Sequence, residues 1–263
     1  MANIGFDLDG VLMRNPFGGH VFPTFHRLMR AAPALQNLDA DAATAAVTRA
    51  VREHWNELMR RGELKAAYDW DATFAAVAHK FGGGVAVPAV ATLVREGCAL
   101  PDVIAALPHA RETVAALAAA GHRLVVVTNG YAAYQEPVLD ALGLLPYFAL
   151  VVTPDRVGAA KPQREAFAAA GPLDWFVGDT LLHDVFGAHS AGVKAVWLDA
   201  ALPDALAALP VAARAWRPEL AARVAESLAA SQYAVFHPEA DVASCTPEAV
   251  IKDLAELAGV VGT

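Results

Sequence analysis

The sequence predicts an α/β protein in which a parallel sheet carries helices on both faces and a helical insert interrupts it near the start. Three observations predict this. Short apolar runs alternate with helix-length segments over most of the chain, the pattern of βαβ units. The runs at 124–128 and 148–152 are apolar at consecutive positions, as strands buried on both faces require. From Asn15 to about Leu107 no convincing strand occurs.

The expected strands, in order, are NIGFDLD (3–9), HRLVVVTN (122–129), YFALVVTP (147–154), DWFVGD (174–179), VKAVWLD (193–199) and ADVASC (240–245). The helices between them carry start and stop signals. ARETVAALAAAG follows Pro108 and ends at Gly121; AYQEPVLDALG ends at Gly143 although Pro137 disturbs its first turns. TPEAVIKDLAEL has Thr246 as an N-cap and Pro247 at the first helical position, which predicts a C-terminal helix. The insert of about 90 residues is helical throughout. In its longest segment Ala43, Val47, Ala50, Val51, His54, Leu58 and Arg61 fall near one helical face, a core-packing stripe. Gly82-Gly83-Gly84 lacks the spacing of a nucleotide loop and reads as a connector. The alanine-rich, proline-punctuated stretch 200–232 reads as one or two extra helices on the sheet domain.

Open α/β sheets bind ligands at the carboxyl ends of their strands, so those ends are where chemistry is expected. The first strand runs into Asp7-Leu8-Asp9-Gly10, the second into Thr128-Asn129-Gly130, and the run at 174–179 into Gly178-Asp179-Thr180, with Asp184 five positions beyond Asp179. Lys161 precedes Pro162 at the start of another helix. Paired acids at the end of a buried strand mean either a solvated turn or a positive charge nearby, because an ionised carboxylate is costly to desolvate alone. Four carboxylates gathered at one sheet edge point to a hard divalent cation, and Mg²⁺ suits oxygen ligands completed by water and phosphate. A hydroxyl, an amide and an ammonium beside it would bind phosphoryl oxygens. One carboxylate could then attack phosphorus, and a second could protonate the leaving oxygen.

The bulk properties narrow the classes. The formal charge of −8 comes without a basic cluster, which excludes general nucleic-acid binding. No apolar run reaches the ~18 residues of a membrane span. The N-terminus lacks the basic and apolar segments of a signal peptide, so a cytoplasmic location is expected. Cys98 and Cys245 lie far apart with no second cysteine nearby, which reads as two reduced thiols rather than a metal clip.

Together, FDLDG at 6–10, VVVTNG at 125–130, Lys161 with Pro162, and VGDTLLHD at 177–184 resemble the four motifs of the haloacid-dehalogenase-like hydrolase superfamily. The resemblance covers about two thirds of the chain. RRGELKAAYDWDATFAAVAHKFG is similar to the helical cap of the subgroup with an early insertion, whereas 200–232 departs from the family pattern. It implies a Rossmann-like core domain over 1–14 and 108–263 and a helical cap domain over 15–107. It also implies roles: Asp7 as nucleophile and Mg²⁺ ligand, Asp9 as general acid/base with its backbone carbonyl on the metal, and Thr128, Asn129 and Gly130 as the phosphoryl-binding loop. Lys161 would offset negative charge, Asp179 would ligate Mg²⁺, and Asp184 would do so directly or through water.

The implied activity is hydrolysis of a small phosphomonoester, with a small phosphorylated metabolite as partner and a monomer or homodimer as the assembly. Asp9 favours this over a haloacid dehalogenase, whose halide leaving group needs no proton. A phosphomutase stays open, as does, from another class, a non-enzymatic phospho-acceptor module. Specificity is expected from the insert and the loop after Gly10, with Arg14, His20, Trp55, Arg60 and Tyr131 as candidates. His183, beside Asp184, is expected either to stand behind the ligands or to be incidental, and His109 and His122 to be structural.

Overall fold

The structure is a computed structural model that describes residues 1–262. The chain divides into two compact units. The first comprises Met1–Arg14, Ala106–Ala132 and the chain from Leu142 onward; the second comprises Asn15–Ala105 and Ala133–Ala141.

The first unit is built on a six-stranded sheet. Its strands are β1 (Asn3–Phe6), β2 (Arg123–Val127), β3 (Leu150–Val152), β4 (Trp175–Gly178), β5 (Lys194–Leu198) and β6 (Ala249–Ile251). They run in the spatial order β3-β2-β1-β4-β5-β6, and every pairing is parallel. From β1 the chain moves outward to β2 and β3, then crosses back to β4 on the other side. The strand order therefore reverses beside β1, and the crevice between β1 and β4 is the topological switch point where such sheets bind ligands. Val125, Val126, Phe176, Val177 and Val196 are completely buried, so the central strands are covered on both faces as their unbroken apolar runs demand. β3 differs: Leu150 is 38% exposed, because this strand forms the sheet edge and only Val151 and Val152 are covered.

The C-terminal region corrects two expectations. ADVASC at 240–245 is not a strand; it is a turn in which the Ser244 N–H donates to Asp241 Oδ1 at 2.8 Å. TPEAVIKDLAEL is not a helix; its Ala249–Ile251 form β6, followed by a short turn of helix at Leu254–Glu256. Val250 and Ile251 are β-branched and fully buried, and pairing Val196 with Ala249 and Leu198 with Ile251 satisfies the outer edge of β5. A helix there would have left that ladder unpaired. The expected N-cap moves downstream to Asp253, whose side chain accepts from the Ala255 N–H.

The 200–232 stretch holds two four-residue helices, Asp204–Ala207 and Val211–Arg214, and a longer helix, Pro218–Ala230. Leu202, Leu206, Leu220 and Val224 enter the same apolar core as Phe176 and Trp197, so this segment is part of the sheet unit.

The second unit is helical. Its main helices are α1 (Phe22–Met29), α2 (Ala40–Arg60), α3 (Trp70–Lys80) and α4 (Val90–Cys98). Asp39 and Asp69 cap α2 and α3 by accepting from Ala42 and Ala72 N–H groups, which satisfies donors that have no partner inside the helix. The buried face of α2 is Ala43, Val47, Ala50, Val51 and Met59. His54 and Leu58 are only partly covered and Arg61 is exposed, because the stripe drifts around a helix of 21 residues. An aromatic cluster fills the centre, with Phe25 stacked on Phe74 at 3.9 Å and Phe22 edge-on to Trp70 at 5.1 Å. Gly82, Gly83 and Gly84 all take positive φ, as expected of a glycine connector.

Candidate active site

The register of the sheet gathers the motif residues. Phe6 lies opposite both Val126 and Val177, so β1, β2 and β4 end at the same level. The Asp7 N–H continues the ladder by donating to Val177 O at 2.9 Å, and the Thr128 N–H donates to Val152 O at 3.1 Å. Asp7, Thr128 and Asp179 are therefore the first residues beyond the paired strands, at the switch point.

Carboxylate oxygens of Asp7, Asp179 and Asp184 all lie within 4.8 Å of one another. Lys161 stands among them, 2% exposed, with Nζ 2.8 Å from Asp7 Oδ1 and 2.7 Å from Asp184 Oδ1. The other oxygen of Asp184 accepts from the Thr180 N–H at 2.8 Å and from its hydroxyl at 2.6 Å. Two glycines make room for this crowding. A Cβ on Gly178 would stand 2.2 Å from Asp184 Cβ, and one on Gly10, whose φ is +82°, would stand 2.2 Å from Asp179 Oδ2.

One ammonium faces three carboxylates, and the electrostatics show the imbalance. Burial, against the opposing pull of Lys161 and with the push of Asp184 and Asp9, raises the Asp7 carboxyl to about 7. Burial together with Asp184 and Asp7 raises Asp179 to about 8. Burial alone would lower the Lys161 ammonium, but Asp184 and Asp7 outweigh it and hold the pKa above its ordinary value. Negative charge in excess of the resident cation, on hard oxygen donors, is the condition under which a divalent cation binds. The three-carboxylate set thus fits Mg²⁺.

The expected residues are not all arranged alike. Asp7, Asp179, Asp184 and Lys161 converge. The Asp9 carboxylate stands outside the three-acid cluster among the described residues, yet close enough to push Asp7 upward. Thr128 is buried at the end of β2, and its hydroxyl accepts from the Gly130 N–H at 3.3 Å. Asn129 turns its side chain to Lys161: its Oδ1 accepts from the Lys161 N–H at 2.7 Å and its Nδ2 donates to Lys161 O at 3.0 Å. The amide expected to hold a phosphoryl group thus holds the lysine's backbone. Among the specificity candidates, His20 Nε2 lies 3.2 Å from Glu96 within the second unit, and Arg60 pairs with Glu57 on the exposed side of α2. Arg14 is exposed, and Trp55 and Tyr131 are partly covered.

Two side chains at the site carry no signal in the sequence, and His183 proves to be buried behind it. Thr180 was readable as the residue after Asp179, but nothing marked its hydroxyl as a partner for Asp184. Trp197, inside β5, donates its indole N–H to Asp179 O at 2.9 Å. His183 is 6% exposed and lies against Tyr233 with ring centroids 4.3 Å apart. Burial pushes its pKa down to about 3, so it is neutral. His109 and His122 are structural: His109 Nδ1 lies 2.6 Å from Asp253 Oδ1, and His122 Nδ1 accepts from the Ala2 N–H at 3.1 Å.

Residues 1–172 match the sequence model of the haloacid dehalogenase-like hydrolases. The chain belongs to this family. Within it, the chain is 31% identical over 205 residues to a phosphoglycolate phosphatase of Caulobacter vibrioides, covering 74% of this chain and 78% of the relative. It is 34% identical over 110 residues to the pyrimidine 5'-nucleotidase YjjG of Escherichia coli, covering 39% of this chain and 48% of the relative. The chain spans about half or less of the length of several curated relatives it matches. A crystal structure of a haloacid dehalogenase-like phosphatase from Thermococcus onnurineus shares the fold, with a TM-score of 0.65 at 21% identity over 100% of this chain and 98% of the other. Among the described residues no helix is long and apolar enough to cross a membrane.

Proposed function

We propose that this hydrolase is a Mg²⁺-dependent phosphatase that cleaves a small phosphomonoester through an aspartyl phosphate on Asp7. The observation that carries the reading is the switch-point cluster, three carboxylates within 4.8 Å of one another with a buried lysine between two of them, and a second acid two residues beyond Asp7. Asp7, Asp179 and Asp184, with the Asp9 backbone carbonyl, would hold the cation. Bound Mg²⁺ supplies charge neutralisation for these carboxylates and for the phosphoryl oxygens.

The chain's own residues carry the two half-reactions. An Asp7 carboxylate oxygen attacks phosphorus, the bond from phosphorus to the ester oxygen breaks, and protonated Asp9 gives its proton to the departing alkoxide. Asp9, now a carboxylate, takes a proton from water as that water attacks the same phosphorus, which frees Asp7 and releases phosphate. Lys161 holds Asp7 in place and balances the phosphoryl charge. The Thr128 hydroxyl and the backbone N–H groups of its loop orient the phosphoryl oxygens, while Asn129 positions Lys161. Residues 15–107 serve as a substrate-selecting helical cap domain and residues 1–14 with 108–263 as the core domain, which favours a small phosphorylated metabolite. The family relatives named for phosphoglycolate and pyrimidine nucleotides support that size class.

The test is hydrolysis of p-nitrophenyl phosphate with Mg²⁺ and with EDTA, by the wild type and by Asp7→Asn and Asp9→Asn. Metal-dependent turnover is expected, absent in Asp7→Asn and reduced by about 10²–10⁴ in Asp9→Asn. An Asp9→Asn enzyme as fast as wild type would remove the acid/base role. Turnover of a haloacid instead, or of a sugar bisphosphate without net hydrolysis, would replace the phosphatase reading.

A further inference from the structure

The indole of Trp197 touches the proposed metal loop at one atom, and the extra 200–232 segment fixes that indole. Asp179 is the first residue past β4, where the ladder ends and its carbonyl has no strand partner. Trp197 Nε1, a group that can only donate, fills that role at 2.9 Å. Trp197 is 3% exposed, and its ring carries the Arg223 guanidinium at 5.8 Å from the centroid. Arg223 belongs to the long extra helix Pro218–Ala230. It is fixed by a two-point pair with Asp199, Nε to Oδ2 at 2.7 Å and Nη2 to Oδ1 at 3.1 Å. Asp199 follows directly on β5, so both ends of the clamp are anchored in the sheet. Just past the extra segment, Tyr233 packs on His183, the neighbour of Asp184.

We propose that Trp197 is a positioning residue for the metal ligand Asp179, and that the 200–232 segment, through Arg223, holds Trp197 in that place. This rests on the metal-site reading above. The peptide carbonyl of residue 179 and its carboxylate share one Cα. Fixing the carbonyl restricts the rotation that would swing the carboxylate away from Asp7 and Asp184. Partners that orient a ligand in this way commonly change metal affinity by 10–100-fold. The segment that departs from the family pattern thereby acquires a role at the centre it does not itself enter.

The test measures Mn²⁺ binding by electron paramagnetic resonance and Mg²⁺ dependence of turnover in wild type, Trp197→Phe and Arg223→Met. Trp197→Phe keeps a ring in the core and deletes the donor. It is expected to weaken Mn²⁺ binding by about tenfold and to recover wild-type kcat at saturating Mg²⁺, a rescue that a merely damaged fold would not give. Arg223→Met is expected to shift affinity in the same direction by a smaller factor. Wild-type affinity in Trp197→Phe overturns the proposal and leaves the metal site standing. Should Trp197→Phe not fold, Arg223→Met decides, and unchanged affinity in it overturns the proposal. A wild type that binds no Mn²⁺ overturns the metal-site reading and this inference with it.

Discussion

Among its described residues the sheet unit buries two cations, and they live in opposite circumstances. Lys161 at the switch point faces Asp7 and Asp184 with Asp179 close by, and the Asp7 and Asp179 carboxyls are pushed above their ordinary range. Arg214, 2% exposed near the β6 edge, is matched donor for donor. It meets Glu256 at 2.7 and 2.6 Å and donates to the carbonyls of Leu209, Val250 and Ala207 at 3.0, 3.2 and 2.8 Å. Arg214 in turn pulls the Glu256 carboxyl below its ordinary value. A planar fork suits that closed arrangement, and a point charge suits the open one. The difference separates an ion pair complete in itself from a cluster in which one ammonium faces three carboxylates.

The comparison breaks or sharpens most clearly where each cation is removed. Arg214→Met leaves Glu256 with only the Lys252 N–H and takes the guanidinium donor from three carbonyls. We expect a loss of about 3–5 kcal/mol, read in thermal melts as a drop of roughly 6–20 °C, and unchanged by Mg²⁺. Lys161→Met should cost less, about 2–3 kcal/mol, because Asp7 and Asp179 can take up protons instead. Its loss should be largely restored by millimolar Mg²⁺, though turnover should not return. Equal Mg²⁺ responses from the two variants would erase the distinction between the two buried cations.

A smaller effect lies in the pH dependence of the metal-free protein. Asp7 and Asp179 release their protons at about 7 and about 8 when folded, against an ordinary value of 3.8. The folded state holds more protons than the unfolded chain across that interval, so stability falls as pH rises through it. His183 works in the opposite sense, since its folded value of about 3 lies below the ordinary 6.5. Its contribution grows with rising pH and is complete above about 6.5. From pH 6.5 to 8 the carboxylates act alone, and metal-free stability should decline by about 1–2 kcal/mol. Saturating Mg²⁺ should flatten the slope; an equal slope with and without Mg²⁺ would contradict the surplus of negative charge.

The site was more legible in the sequence than the edge of the sheet that supports it. Asp7, Asp179 and Lys161 were readable because each carries a charge at a strand end or helix start, where a charge needs a reason. The central strands announced themselves by unbroken apolar runs. β6 did not, because three residues of strand are too few for a period, and Thr246-Pro247 imitates a helix start; only the open ladder of β5 decides it. Nothing in the sequence marks Arg214, since the glutamate that completes it lies 42 positions away. Trp197 had the appearance of strand filling, and its single polar atom gains meaning only from the neighbouring strand. The Asn129 amide was expected to face substrate, but a backbone across the sheet end claims both of its polar atoms.

That last grip has a mechanical consequence. By accepting from the Lys161 N–H and donating to its carbonyl, Asn129 does with a side chain what a neighbouring strand does with its backbone. The lysine loop is thereby hung from the end of β2 as though it were one more rung of the sheet. Asp7 hangs from the end of β1, and β1 and β2 are locked in register by their own ladder. The Asp7 carboxylate and the Lys161 ammonium are thus measured from one ruler, and the 2.8 Å between them inherits the tolerance of a β-sheet rather than that of a loop.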